Sequence, residues 1–182
     1  MEDRVVHRAM RDCLEPLLEA HAFADSVHGY RPGRNRVTAV RHAYHLLSDG
    51  LTEVADIDVA KASTGGTVEE TVSSLARWVS DGVFLHRVRH VLEGLPEPLM
   101  PGSGLSPLLL NVRLCSVDDA LSDLNFVRFA DNYCVFCPTP ADAEVAHKRV
   151  SQALADQGLE VAQGKSGIRS EPNPEDLFLI AG

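Results

Sequence analysis

The chain has 182 residues, 45% of them hydrophobic but only 5% aromatic, so it can bury one core made mainly of Leu, Val and Ala. No apolar run reaches the roughly 18 residues of a membrane span, and four scattered cysteines (Cys13, Cys115, Cys134, Cys137) exclude a disulfide framework. The net charge of -9 excludes a surface that is basic throughout. Any phosphate contact must then come from local clusters, such as Arg31, Arg34 and Arg36 or the run from His86 to His90.

Met1-Glu2-Asp3-Arg4 opens a charged helical pattern without the apolar stretch of a leader, and the expectation is a cytoplasmic protein without membrane contact. Val5, Met10, Cys13, Leu14, Leu17 and Leu18 recur near helical spacing over residues 2–20, and Pro16 predicts a kink or a break after Leu14. Residues 29–34 form a loop by their Gly and Pro content, and a helix over 37–48 stops near Gly50. Residues 52–59 alternate, with Val54, Asp56 and Asp58 on one face of a strand and Ala55, Ile57 and Val59 on the other. Helices are expected over 67–80, capped by Thr67 with Glu70, and over 83–93. A Pro/Gly loop over 96–104 and a helix over 106–121 follow. Residues 125–137 read as two strands joined by a tight turn at Ala130-Asp131-Asn132. A helix over 141–157 and short strands near 159–162, 166–169 and 177–180 complete an α+β order.

Acidic residues thus close one strand and occupy the turn of a later hairpin. Two carboxylates brought together from separate strand ends can hold Mg²⁺ ions that also accept substrate phosphates. Such a pair of ions stabilises the attacking and leaving oxygens of phosphoryl transfer. Other clusters point to structure. Cys134 and Cys137 lack a second pair and read as core residues. His86 and His90 lack a third ligand and read as a solvated or phosphate-facing helix surface. Asp118-Asp119 is expected to face solvent or cap a neighbour, and Gly65-Gly66 lacks the lysine and hydroxyl of a phosphate loop.

Seven blocks in order then carry a resemblance. They are Glu2-Asp3-Arg4-Val5-Val6-His7-Arg8-Ala9 with Leu14-Glu15-Pro16 and Phe23, and His28-Gly29-Tyr30-Arg31-Pro32-Gly33-Arg34-Asn35. Next come Val54-Ala55-Asp56-Ile57-Asp58-Val59 and Gly102-Ser103-Gly104-Leu105-Ser106-Pro107-Leu108-Leu109-Leu110-Asn111. Arg128-Phe129-Ala130-Asp131-Asn132 follows, then Gly158-Leu159-Glu160 with Gly164-Lys165-Ser166, and last Phe178-Leu179-Ile180-Ala181-Gly182. In these blocks the chain resembles bacterial reverse transcriptases, especially the group II intron type, from the second conserved block to the primer grip.

The resemblance implies an α+β polymerase palm, an antiparallel sheet backed by helices. It implies a single domain over 1–182, with 1–50 a helical fingers remnant and 51–182 the palm. Catalytic roles fall on Asp58, Asp131, Asn132 and Lys165, and Mg²⁺ or Mn²⁺ ligation on Asp58, the Val59 carbonyl and Asp131. Nucleotide contacts fall on Arg31, Arg34, Ser63, Gly102 and Ser103. The implied partners are a primer–template and nucleoside triphosphates, with a protein partner or second copy supplying the thumb. Departures from the family pattern are Asn132 for the second aspartate of the turn, Pro101 for a glutamine beside the nucleotide, and Ala62-Ser63-Thr64 for an aromatic segment. They lead to two expectations: a weak, poorly processive nucleotidyltransferase, or a catalytically degenerate palm serving as a nucleic-acid- or protein-binding module.

Overall fold

The alternating run ending at Asp58 becomes the central strand of an antiparallel sheet. The computed structural model describes residues 2–178 apart from Gly65, Met100, Pro101 and Lys165. Its elements are α1 (Glu2–His21), α2 (Arg36–Ser48), β1 (Glu53–Ala60), α3 (Val68–Leu75), α4 (Gly82–Glu93) and α5 (Ser106–Ala120), then β2 (Phe126–Phe129), β3 (Asn132–Cys137), α6 (Pro140–Ala155), β4 (Glu160–Val161) and β5 (Gly167–Ser170). The chain forms two compact units, one from residues 1–23 and 61–115, the other from 24–60 and 116–182.

The first unit is helical. α1 runs unbroken through Pro16, against the break expected there. Leu14 and Leu18 on either side of it are both buried, and that anchorage outweighs the one backbone hydrogen bond a proline removes. Thr67 and Glu70 form the expected reciprocal cap of α3, but the helix ends at Leu75 and gives way to turns. Asp81 caps α4, and its Oδ1 accepts from the Val83 and Phe84 amides. An Arg89–Glu69 ion pair links α4 to α3. His86 and His90 are exposed, as expected.

The second unit holds the sheet, in the order β2-β3-β1-β4, with β5 also on β1. One edge of β1 pairs with β3 over Glu53 to Asp58, and the other is shared by β5 and β4. With both edges paired, Val54 to Ile57 are four consecutive buried residues. On one face, Val54 and Phe136 join Val127, Cys134, Leu177 and Phe178 in a cluster that α2 covers with Ala39 and Ala43. α6 packs along β1, β3, β4 and β5, and Arg149 ties it to Asp123 and to the Ala120 carbonyl at the end of α5. Cys134 and Cys137 are buried and unpaired, as core cysteines should be. Their odd spacing puts them on opposite faces of β3. The strand expected near 177–180 is not formed at its described end. Leu177 and Phe178 lie in a turn after a 3-10 turn at Pro174–Asp176, Phe178 has φ of 60°, and residues 179–180 fall outside the described residues. Among the described residues, no helix is long and apolar enough to cross a membrane.

Candidate active site

Asp58 sits opposite Asn132 where β1 leaves β3. Its amide donates to Ser166 Oγ at 3.1 Å and its carbonyl accepts from the Ala162 amide at 2.8 Å, so both backbone groups point away from β3. Asp58 and Asn132 are therefore a non-hydrogen-bonded pair, the kind in which opposed side chains lie closest. One residue on, the polarity reverses. The Val59 amide donates to the Asp131 carbonyl at 3.2 Å, and the Val59 carbonyl points to that same edge. Asp58, Val59, Asp131 and Asn132 thus meet at one end of the β1–β3 pair, with Asp58, Asp131 and Asn132 all half-buried. Asp56, two residues back on the same face, is otherwise engaged: its carboxylate accepts from Arg169 Nη2 at 2.7 Å and from the Cys134 thiol at 3.6 Å. Burial, then the Asp56 charge, pushes the Cys134 thiol well up, so it stays protonated as that bond requires.

The turn carrying Asp131 is held from three sides. Ala130 takes φ of 56°, a left-handed conformation that costs a residue with a Cβ about 1–2 kcal/mol. Arg128, fully buried, donates from Nη1 to the Ala130 carbonyl at 2.8 Å and grips Asp118 through Nε at 2.9 Å and Nη2 at 2.6 Å. The Tyr133 hydroxyl donates to the same Asp118 carboxylate at 2.9 Å. Asp118 therefore neither faces solvent nor caps a neighbour; it is a buried counter-ion on α5. Helical spacing alone does not separate it from Asp119, since Leu114 and Leu121 flank Asp118 on one buried row while Val112 and Cys115 precede Asp119 on another.

The third hold is the loop before α2. The His28 amide donates to the Arg128 carbonyl and the Arg128 amide to the Ser26 carbonyl, both at 2.8 Å, laying residues 26–28 along β2. Gly29 then presses on the turn. A Cβ there would lie 2.2 Å from the Ala130 nitrogen and 2.9 Å from its Cα, so only glycine permits the approach. Gly29→Ala must displace backbone and not a flexible side chain. We expect it to cost about 2–3 kcal/mol in urea unfolding and to lower Mn²⁺ affinity with it, the second readout separating site damage from general instability.

The same loop makes this unit acid-sensitive. His28 bonds Thr38 Oγ1 at 2.9 Å and His42 Nδ1 at 3.1 Å. Burial, then the neighbouring His42, Arg34 and Arg31, lowers its pKa from 6.5 to about 4, and burial lowers that of His42 as well. Between pH 6.5 and 4 the unfolded chain binds a proton at His28 that the folded chain refuses, so stability falls as pH drops through that window and is level above it. The loss from His28 is at most about 3 kcal/mol. Urea midpoints at pH 7, 5.5 and 4.5 should fall in that order, and His28→Gln should flatten the series.

Of the other expected residues, Arg31 is buried and its Nη1 donates to the Ala24 and Val27 carbonyls at 2.6 and 2.9 Å. Arg34 pairs with Asp25 at 2.6 Å and keeps its side chain 24% exposed. Ser63, Gly102 and Ser103 belong to the first unit. Ser63 lies in a turn closed by the Thr64 amide on the Lys61 carbonyl, and Gly102 is exposed with φ of 87°. Ser103 is buried, its Oγ bonded to His7 Nδ1 at 3.0 Å. Lys165 and Pro101 fall outside the described residues.

Residues 1–174 match the family described as Reverse transcriptase (RNA-dependent DNA polymerase). This chain belongs to the reverse transcriptase family. No curated protein matches it in sequence. Reverse transcriptases polymerise nucleotides on a nucleic-acid template and primer and use divalent metal ions. The donor set at the end of β1 in this family member fits that requirement in kind. It consists of carboxylate, carbonyl and carboxamide oxygens, the hard ligands that Mg²⁺ and Mn²⁺ prefer. Among the described residues no three Asp, Glu, His or Cys side chains converge on one point. An ion here would thus rest on two carboxylates, with water and substrate phosphates completing its shell.

Proposed function

We propose that the chain is a nucleotidyltransferase of the group II intron type, with a palm over 51–182 and a fingers remnant over 1–50, extending a primer 3′-hydroxyl with nucleoside triphosphates. The observation that supports it best is the pairing of Asp58 with Asn132, together with the Val59–Asp131 bond, which gathers oxygen donors at one strand end. Asp58, Asp131 and the Val59 carbonyl would hold Mg²⁺ or Mn²⁺, which when bound supplies charge stabilisation to the reacting phosphate and acidifies the primer hydroxyl. Asn132 offers a neutral oxygen or an amide donor where the family has a second carboxylate, so it orients and does not neutralise. Arg34, partly exposed beside this loop, is the proposed phosphate contact, and Arg31 fixes the turn that carries it. Lys165 keeps its role as electrostatic stabiliser or proton donor to the leaving group on the resemblance alone.

Ala62-Ser63-Thr64, where the family carries aromatics, favours the second reading, a palm retained for binding without turnover. Primer extension with purified protein, Mg²⁺ or Mn²⁺ and both nucleotide types separates the two, with Asp131→Ala in parallel. No extension under any condition, with nucleic-acid binding intact, leaves the binding module.

Nucleotide choice gives a further expected result. In the family, a bulky residue five places after the first catalytic aspartate clashes with the sugar 2′-hydroxyl, and here that place holds Ser63. Rejection by exclusion needs a clash, so ribonucleotides should be used within about tenfold of deoxyribonucleotides, or about 1.4 kcal/mol. Ser63→Phe should restore discrimination in kcat/KM. Strong rejection of ribonucleotides by the native chain, unchanged in Ser63→Phe, would place the gate elsewhere.

A further inference from the structure

His28, Gly29 and Arg31 are buried, yet Tyr30 in their midst is 45% exposed. Each buried neighbour is anchored: His28 by Thr38, His42 and the Arg128 carbonyl, Gly29 against Ala130, and Arg31 by two carbonyls of residues 24–27. Tyr30 itself takes φ of 61°, which glycine would adopt freely and a bulky residue resists. Strain of this kind persists where the surroundings over-determine it, and it gathers at functional sites. The loop spends its anchors on presenting one aromatic ring. Its location follows from Gly29, whose contact with Ala130 puts the next residue beside Asp131.

We propose that Tyr30 is a strand-binding residue whose ring is the platform for a nucleobase next to Asp131. The identity of the strand rests on the polymerase reading. The chemistry favours a base over a phosphate here. Carboxylates at the end of β1 repel phosphate in the absence of a cation, whereas the face of a base carries no charge and stacks on any aromatic ring. Stacking is also independent of sequence and of net charge. It suits a chain at -9, whose acidic residues outnumber its basic ones.

The test is fluorescence anisotropy of a labelled single-stranded oligonucleotide with the full chain in EDTA, without nucleotides. Tyr30→Phe should bind within about twofold of native, whereas Tyr30→Ala and Tyr30→Gly should bind roughly 5- to 100-fold more weakly. Tyr30→Gly should also leave the thermal midpoint unchanged or higher, because glycine relieves the left-handed backbone; a merely structural tyrosine would lower it. Native-like binding by Tyr30→Ala overturns the proposal, as does a loss in Tyr30→Phe equal to that in Tyr30→Ala, or a native chain that binds no strand. Primer extension by the native protein is scored separately. Extension with Tyr30-independent binding sinks this inference alone, and Tyr30-dependent binding without extension sinks the polymerase reading alone.

Discussion

Asp131→Ala and Asp58→Ala should each lower primer extension by at least about 10³-fold, which corresponds to about 4 kcal/mol of lost transition-state stabilisation. Each removes one of the two carboxylates proposed to hold the ion, and Asp56, the next acid back on that face, is bound to Arg169. Mn²⁺ affinity measured by electron paramagnetic resonance should fall in parallel. Thermal stability without metal should hold or rise slightly, because carboxylates that share one ion, as proposed, repel each other in its absence. That opposite movement of stability and activity marks a functional pair. Asn132→Asp is the complementary variant: a third carboxylate opposite Asp58 should tighten Mn²⁺. A residual activity above about one-tenth of native in Asp131→Ala would remove Asp131 from the chemistry.

Asp118→Ala should cost about 3–5 kcal/mol of folding stability, the penalty for stranding a buried cation. Arg128 is fully buried, and its counter-charge is the Asp118 carboxylate, gripped through two nitrogens. Arg128→Ala should cost as much, since it strands Asp118 and also removes the donor to the Ala130 carbonyl. Tyr133→Phe deletes one hydrogen bond of the group and should cost only about 1 kcal/mol. Against a total of about 5–15 kcal/mol for a domain, the first two variants lose much of the fold. Urea unfolding gives the ranking directly. A loss below about 1 kcal/mol in Asp118→Ala would mean that water reaches the guanidinium.

The sequence carried the elements that bear chemistry because their signals are local. Strict alternation put Asp58 on a strand, two flanking apolar runs put Asp131 in a turn, and Thr67 with Glu70 wrote its own cap. Where the outcome depended on distant partners, the local signal misled or fell silent. Pro16 should interrupt a helix, but buried leucines on both sides carry α1 past it. Asp118 looked like one of two surface acids because its partner comes from a strand that folds back beneath it. Gly29 looked like an ordinary loop glycine; its reason for being glycine is the backbone of Ala130, a hundred residues away in the chain. The left-handed φ of Tyr30 and Ala130 has no mark in residue type at all, as neither is Gly, Asn or Asp.

The interleaving of the two units along the chain sets an order of events during synthesis. β1 leaves the ribosome before every strand it pairs with: β3 is separated from it by α3, α4, α5 and β2, with β4 and β5 later still. Until then Val54, Ala55 and Ile57 belong to a nascent strand with two open edges, a template for pairing with another chain. The first unit, begun by α1, likewise waits for residues up to 115. Pairings this distant fold slowly and are prone to concentration-dependent misassembly. The buried Asp56 lies in the middle of that waiting strand, and its charge interrupts the apolar run until Arg169 arrives to neutralise it. A charge in the middle of an apolar strand is the kind of residue that breaks an aggregation-prone window, and in the finished sheet this one is held by Arg169.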